Sequence, residues 1–227
     1  MPCAGIRCAP ERTRPPAAGA VNDLRHDSAD VRPAAPRPRT MPHVPGESGI
    51  WIMIFGDMLV FSLMFIAFLL GRRDQTDLFA ASRLHLNQTY GLVNTCLMLS
   101  SSWCVASAVL AVRSARPRAA GLYLRIALGC GLGFCAVKIL EYGEKFRAGI
   151  SINSNDFFMY YFVFTGIHLL HVLIGLGVLV FMTRVLAGAV DTRRLGYLES
   201  GASFWHVVDL LWIALFALLY LLPAVPA

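Results

Sequence analysis

After a polar opening stretch, the chain settles into five long apolar runs separated by short polar connections. The runs occupy residues 50–70, 90–112, 122–140, 157–182 and 204–222. Each is close to the roughly 20 helical residues needed to cross a hydrocarbon core of about 30 Å. They are continuously apolar rather than alternating, which argues against barrel strands. In lipid a lone segment satisfies its own backbone hydrogen bonds only as a helix. The pattern predicts an all-α bundle of five transmembrane helices, forming one domain over residues 50–222. Residues 1–49 are rich in Pro, Ala and Arg and show no periodic apolar face. They cannot bury enough surface to offset chain entropy, so a disordered tail is expected there. They lack the apolar centre of a cleavable signal, although the first span can serve as an uncleaved anchor. Met41 sits just ahead of the first span, so the first forty residues are read as the product of an upstream start.

Composition agrees with this pattern: 56% of the residues are hydrophobic and 15% charged, too apolar for a surface wetted all round. A net charge of +6 would suit a nucleic-acid partner, but the placement of the basic residues points to membrane topology instead. Seven arginines precede the first span; Arg113, Arg116 and Arg118 separate the second and third, and Arg184, Arg193 and Arg194 follow the fourth. The other face carries Arg72, Arg73, Arg83, Lys145 and Arg147 and has nothing basic after the fifth span. The expectation is a cytoplasmic N-terminus, a periplasmic C-terminus and no nucleic-acid partner. Of six cysteines, Cys96, Cys104, Cys130 and Cys135 lie within spans as small hydrophobes, and Cys3 and Cys8 fall in the tail with no metal-ligand spacing.

Ionisable side chains at membrane depth cost several kcal/mol unless they face protein or water, so each needs an explanation. Asp57 lies in the first span. Lys138 and Glu141 share a face of the third, where they form either a structural ion pair or a proton-handling site. His168 and His171 share a side of the fourth span, and Glu199, His206 and Asp209 mark the start of the fifth. The last two are expected to hydrogen-bond to the histidines or backbone of the fourth span. Two further readings of these residues are a zinc or iron site built from imidazole and carboxylate, and haem ligation. Two histidines three residues apart cannot both be axial ligands of one haem, and only three histidines lie in the spans. An interhelical hydrogen-bond network holding no metal is the preferred reading. A small transporter is a third class, but neither an inverted repeat nor a broken helix is visible. Gly129 and Gly133, with Gly131 between them, are expected to pack helices closely, as are Gly166 and Gly175. Trp51, Tyr90, Trp205, Trp212 and Tyr220 are read as headgroup-level anchors.

Several separate stretches resemble the haem-copper oxidase subunit III family, in that family's order, from about residue 49 to 222. The strongest are Phe164-Thr165-Gly166-Ile167-His168 with His171-Val172 and Gly175, then Glu199 leading to Trp205-His206-Val207-Val208-Asp209 and Trp212. Asn94-Thr95, the serines at 100–102 and Glu141-Tyr142 support them. Asp57 stands where mitochondrial-type members usually have Glu, and Lys138 stands where oxidases usually have Gln. The chain resembles the short form of the family, which lacks the first two of seven spans. Residues 86–91, 141–145 and 155–161 look more like the NorE-type branch found with nitric oxide reductase than like subunit III of the quinol oxidases. The resemblance implies a multi-pass protein of the bacterial inner membrane with no haem, copper or other cofactor of its own. It further implies an accessory role beside a catalytic subunit, that of a nitric oxide reductase in denitrification or, alternatively, of a terminal cytochrome c or quinol oxidase in aerobic respiration. Its partners would be that subunit and membrane lipids.

Overall fold

Each apolar run becomes a helix longer than the run itself. The computed structural model describes residues 48–188 and 192–222, all within the unit spanning residues 43–227. Residues 1–47 of the expected tail, with Met41, Cys3 and Cys8, lie outside the described residues, and its last two, Ser48 and Gly49, begin the first helix. The spans are α1 (Ser48–Asp74), α3 (Gln88–Arg113), α4 (Pro117–Arg147), α5 (Asp156–Leu186) and α6 (Thr192–Phe216), the last continuing as a π turn over Ala217–Leu221. A short helix, α2 (Thr76–Arg83), lies between the first two spans. All five spans are long and apolar enough to cross a membrane, and among the described residues there is no strand.

The helices outrun the apolar stretches because hydropathy marks only the part in hydrocarbon, while the polar flanks remain helical. At about 1.5 Å per residue the 31 residues of α4 extend roughly 46 Å, well beyond the core thickness. The greatest difference is at α6, which starts at Thr192 rather than 204, because the polar segment around Glu199 is helical too. Helix α2 has no apolar run to reveal it. It is eight residues long and buries only Phe79 and Ser82.

Local chemistry sets several helix ends. Asn87 Oδ1 accepts from the Thr89 amide at 3.0 Å, and Asn155 Oδ1 accepts from the Phe158 amide at 2.9 Å, capping α3 and α5. Helices α3 and α4 both close on the same motif. Arg116 N–H reaches the Ala111 carbonyl and Ala115 N–H the Val112 carbonyl, matched by Ile150 to Lys145 and Gly149 to Phe146. The residue at the turning point is left-handed in both, with φ 74° at Gly149 and φ 55° at Ala115. Ala115 therefore adopts a conformation that costs an L side chain about 1–2 kcal/mol, and the α3–α4 connection stays tight despite it.

Helices α3, α4, α5 and α6 close a ring through the contacts α3–α4, α4–α5, α5–α6 and α6–α3, whereas α1 lies outside it and touches α5, α6 and α2. The apolar part of α6 is half buried and that of α1 only 17%. Lipid tails are as apolar as leucine, so what joins these helices is shape and interhelical polar contact rather than the hydrophobic effect. Phe68 on α1, Phe79 on α2 and Phe157, Tyr160 and Phe164 on α5 form an edge-to-face cluster that fastens α1 to the ring. At the centre, Trp205 and Trp212 of α6 are fully buried. Gly175 makes room for the first of these, since a Cβ there would lie 2.7 Å from the Trp205 ring. Of the two glycines expected to pack α4, Gly129 meets nothing within 4 Å and Gly133 has only an ordinary 3.5 Å approach to Leu97. Gly131 takes the packing role, since a Cβ there would lie 2.7 Å from Leu176 and 3.1 Å from Trp205. Gly166 likewise faces open space. Small residues two apart point to different sides of a helix, and the pattern alone does not say which side meets a neighbour.

Candidate functional site

The polar groups of the bundle fall into three separate places. The most enclosed is built on one face of α4, where Lys138, Glu141 and Lys145 recur at helical spacing and are all buried. Lys138 and Glu141 have no solvent exposure. Lys138 Nζ donates to Glu141 Oε2 at 2.9 Å and to the Tyr220 hydroxyl at 3.3 Å. Tyr220 in turn donates to Glu141 Oε1 at 2.6 Å, closing a triangle in which both carboxylate oxygens are used. The ammonium also sits over aromatic faces, 5.0 Å from the Trp212 ring and 5.2 Å from that of Tyr161. The π turn aims Tyr220 into this position. Gln88 donates to the Tyr220 carbonyl at 3.2 Å and Arg83 to the Leu222 carbonyl at 2.6 Å, supplying partners at the altered helix end. Gly91 leaves space for the rings of Phe216, at the end of α6, and Tyr220, in the turn. Further along α4, Tyr90 donates to Glu144 and Lys145 to the His85 carbonyl. Tyr142 donates to Thr165, whose own hydroxyl is committed to the Tyr161 carbonyl at 2.6 Å.

The second place joins α1 to α5. Asp57 Oδ1 lies 3.4 Å from His171 Nε2, with side-chain exposures of 24% and 16%. His171 Nδ1 is 2.8 Å from the Ile167 carbonyl, an atom that only accepts, so Nδ1 carries a hydrogen. Nε2 then faces the Asp57 carboxyl across this contact. One turn away, His168 is fully buried between the Phe134 and Trp212 rings, at 5.7 and 5.3 Å between centroids.

The third place joins α3 to α6. Ser102 Oγ lies 2.6 Å from His206 Nδ1, Trp212 Nε1 donates to Thr95 Oγ1 at 3.1 Å, and Ser101 donates to the Ala127 carbonyl on α4 at 2.9 Å. Near the end of α3, Arg113 Nη2 pairs with Glu199 Oε1 at 2.7 Å. A cavity of about 280 Å³ opens beside this pair, lined by Val109, Leu110, Ser203 and His206 among others. The core also holds polar atoms with no hydrogen-bond partner among the described residues: both amide atoms of Asn94, both ring nitrogens of His168, Trp205 Nε1 and Asp209 Oδ1. The three span histidines therefore point to three different neighbourhoods. Among the described residues no three His, Cys, Asp or Glu side chains converge as a metal ligand set would.

Polar matches in the third, fourth and fifth spans thus lie on facing helices of one ring, and the whole of residues 46–223 matches the family described as cytochrome c oxidase subunit III. The chain belongs to that family. Subunit III relatives span nearly their full length against it. The cytochrome bo(3) ubiquinol oxidase subunit 3 of Buchnera aphidicola subsp. Schizaphis graminum is 26% identical over 181 residues, covering 76% of this chain and 92% of that protein. The cytochrome c oxidase subunit 3 of Bacillus sp. strain PS3 is 24% identical over 197 residues, covering 86% and 95% respectively. The cytochrome bo(3) ubiquinol oxidase subunit 3 of Pseudomonas aeruginosa is 25% identical over 183 residues, covering 78% and 84%. With its five apolar helices and bacterial relatives, this subunit III chain is a multi-pass inner-membrane protein.

Within the subunit III fold, several expected partnerships change. His206 and Asp209 do not reach the histidines of α5; His206 bonds to Ser102 on α3, because α6 is wedged between α3 and α5 and turns that face toward α3. Asp57, for which no partner was predicted, meets His171 where α1 touches α5. Trp205, Trp212 and Tyr220 are core residues with no exposure, not headgroup anchors. Sequence reasoning also passed over Ser102, Thr95 and Tyr220 as members of the polar sites. Tyr220 looked like one aromatic among many at the end of an apolar run.

Proposed function

We propose that this chain is the accessory subunit III of a terminal oxidase of the quinol or cytochrome c type, carrying no redox centre and supporting the assembly and turnover stability of the catalytic subunit. The observation that carries the reading is the near full-length relationship to oxidase subunits 3, combined with three histidines held in separate neighbourhoods, where each serves packing or a pairwise bond. The polar groups act as interhelical ties, so that the subunit offers its partner a bundle of fixed shape. The distribution of arginines supports a cytoplasmic N-terminus and a periplasmic C-terminus.

A second reading, association with nitric oxide reductase, is favoured by residues 86–91, 141–145 and 155–161 and by Lys138 where oxidases usually have Gln. Affinity purification of the tagged chain from native membranes, with mass spectrometry of what accompanies it, separates the two. An oxidase catalytic subunit is expected. Recovery of a nitric oxide reductase subunit would replace the first reading with the second, and recovery of no haem-copper subunit would remove both.

A further inference from the structure

Four polar side chains around the Trp212 indole have no solvent exposure: Asn94 on α3, Lys138 on α4, and Tyr161 and His168 on α5. The Lys138 ammonium lies 5.0 Å from the Trp212 ring and 5.2 Å from the Tyr161 ring. His168 packs on the same indole, with 5.3 Å between centroids. Asn94 precedes Thr95, which accepts from Trp212 Nε1 at 3.1 Å. One turn before Asn94 on the buried face of α3 is Gly91, where a Cβ would lie 3.1 Å from the Tyr220 ring. These neighbours put Asn94 on the α3 wall of the space that the other three border. Among the described residues, neither amide atom of Asn94, neither ring nitrogen of His168 nor the Tyr161 hydroxyl has a hydrogen-bond partner. Lys138 uses two of its three N–H donors, on Glu141 and Tyr220. Buried polar groups in folded proteins are paired almost without exception, so orphans that share one neighbourhood indicate a shared partner.

The atoms themselves define the chemistry of that partner. The Tyr161 hydroxyl, the Asn94 amide nitrogen and the third N–H of Lys138 donate, Asn94 Oδ1 accepts, and an imidazole with no carboxylate partner supplies one donor and one acceptor. An anion would satisfy the donors and leave the acceptors bare, and a cation would do the reverse beside an ammonium. The charge of Lys138 is already matched by Glu141 at 2.9 Å, so no net charge is left to attract either. Water both donates and accepts, and a buried water makes about three hydrogen bonds, so roughly two molecules suffice here. We propose that ordered water molecules occupy the centre of the four-helix ring, held by Asn94, Tyr161, His168 and the third N–H of Lys138. They extend the Lys138–Glu141–Tyr220 triangle, whose own bonds join only α4 and the turn at the end of α6, to α3 and α5. The site lies within this chain and does not depend on which catalytic subunit it serves.

X-ray radiolytic footprinting tests this, because hydroxyl radicals formed from bound water oxidise the side chains beside it even where bulk solvent does not reach. The full chain in detergent is given millisecond pulses, and oxidation is read residue by residue by mass spectrometry, corrected for the intrinsic reactivity of each side chain. Tyr161 and His168 should be oxidised several-fold faster than Phe164, which lies on the same helix, is 2% exposed and packs among the rings of Phe65, Phe68 and Tyr160. Asn94→Leu, close in size but apolar, should slow the oxidation of Tyr161 and His168. Asn94→Leu with His168→Phe should bring Tyr161 down to the level of Phe164, and circular dichroism of each variant confirms the helices. Oxidation of Tyr161 and His168 no faster than that of Phe164 in the unaltered chain overturns the proposal, and that comparison needs no variant. So does fast oxidation of Tyr161 that survives the double change, the result expected if bulk water reaches it through the detergent.

Discussion

The Lys138–Glu141–Tyr220 triangle and the Asp57–His171 pair are both ionisable groups meeting at membrane depth, yet they are built in opposite ways. The first sits inside the four-helix ring with no exposure, both carboxylate oxygens and two of the three ammonium donors engaged, and aromatic rings around the charge. The second lies where α1 touches α5, a longer contact of 3.4 Å with both side chains partly exposed. A charge sealed in a low-dielectric interior is tolerable only as part of a complete set, so removing one member exposes the full desolvation cost of the rest. The pair at the seam makes one long contact and has no third member, so fewer bonds depend on either side chain. The rigid centre of this subunit is therefore the α4–α6 contact, and the adaptable edge is α1.

The largest expected effect tests the sealed side. Glu141→Ala leaves Lys138 buried without its counter-charge and should lower stability by about 3–5 kcal/mol, read as a fall in the thermal unfolding midpoint of the purified chain in detergent. Replacing both members by apolar residues, Lys138→Met with Glu141→Leu, should recover most of that loss. If the single change costs no more than the double, the triangle is not the unit described here. Next in size is packing around Trp205. Gly175→Ala puts a Cβ 2.7 Å from the indole and should cost about 1–3 kcal/mol, whereas Gly166→Ala, with nothing within 4 Å, should stay within about 0.5 kcal/mol. Similar unfolding midpoints for the two would contradict the assignment of faces on α5. The smallest change is expected at the open seam, where Asp57→Asn keeps the size and polarity of the side chain and alters one long contact, so it should shift stability by less than about 1 kcal/mol. A loss as great as that of Glu141→Ala would erase the distinction between the two regions.

Apolar run length was enough to find all five spans, because crossing a fixed thickness is a constraint on length and composition alone. The arrangement of those spans was not legible. In a soluble protein an apolar stripe marks the inner face, but in lipid both faces of a helix are apolar, so nothing in α1 announces that it stands outside the ring while α6 is half enclosed by it. Lys138 and Glu141 were legible as a pair because i and i+3 are neighbours on any helix. Tyr220 was not, since its contact depends on a π turn and on which helix lies opposite, 79 residues away in the chain. His206 shows the same limit from the other side. Its need for a polar partner could be read directly, but the choice between an α5 histidine and Ser102 was made by the closure of the ring.

The outlying position of α1 also bears on how the chain is assembled during synthesis. Helices α3 and α4 are joined by a tight connection and can associate as a hairpin as soon as both have left the ribosome. By contrast, the surfaces that α1 contacts on α5 and α6 are made last. Helix α1 therefore enters the bilayer before the helices of the ring that it packs against, with Asp57 unmatched until His171 is inserted. Synthesis of this chain thus includes an interval in which α1 has no ring helix to shield its carboxylate from lipid.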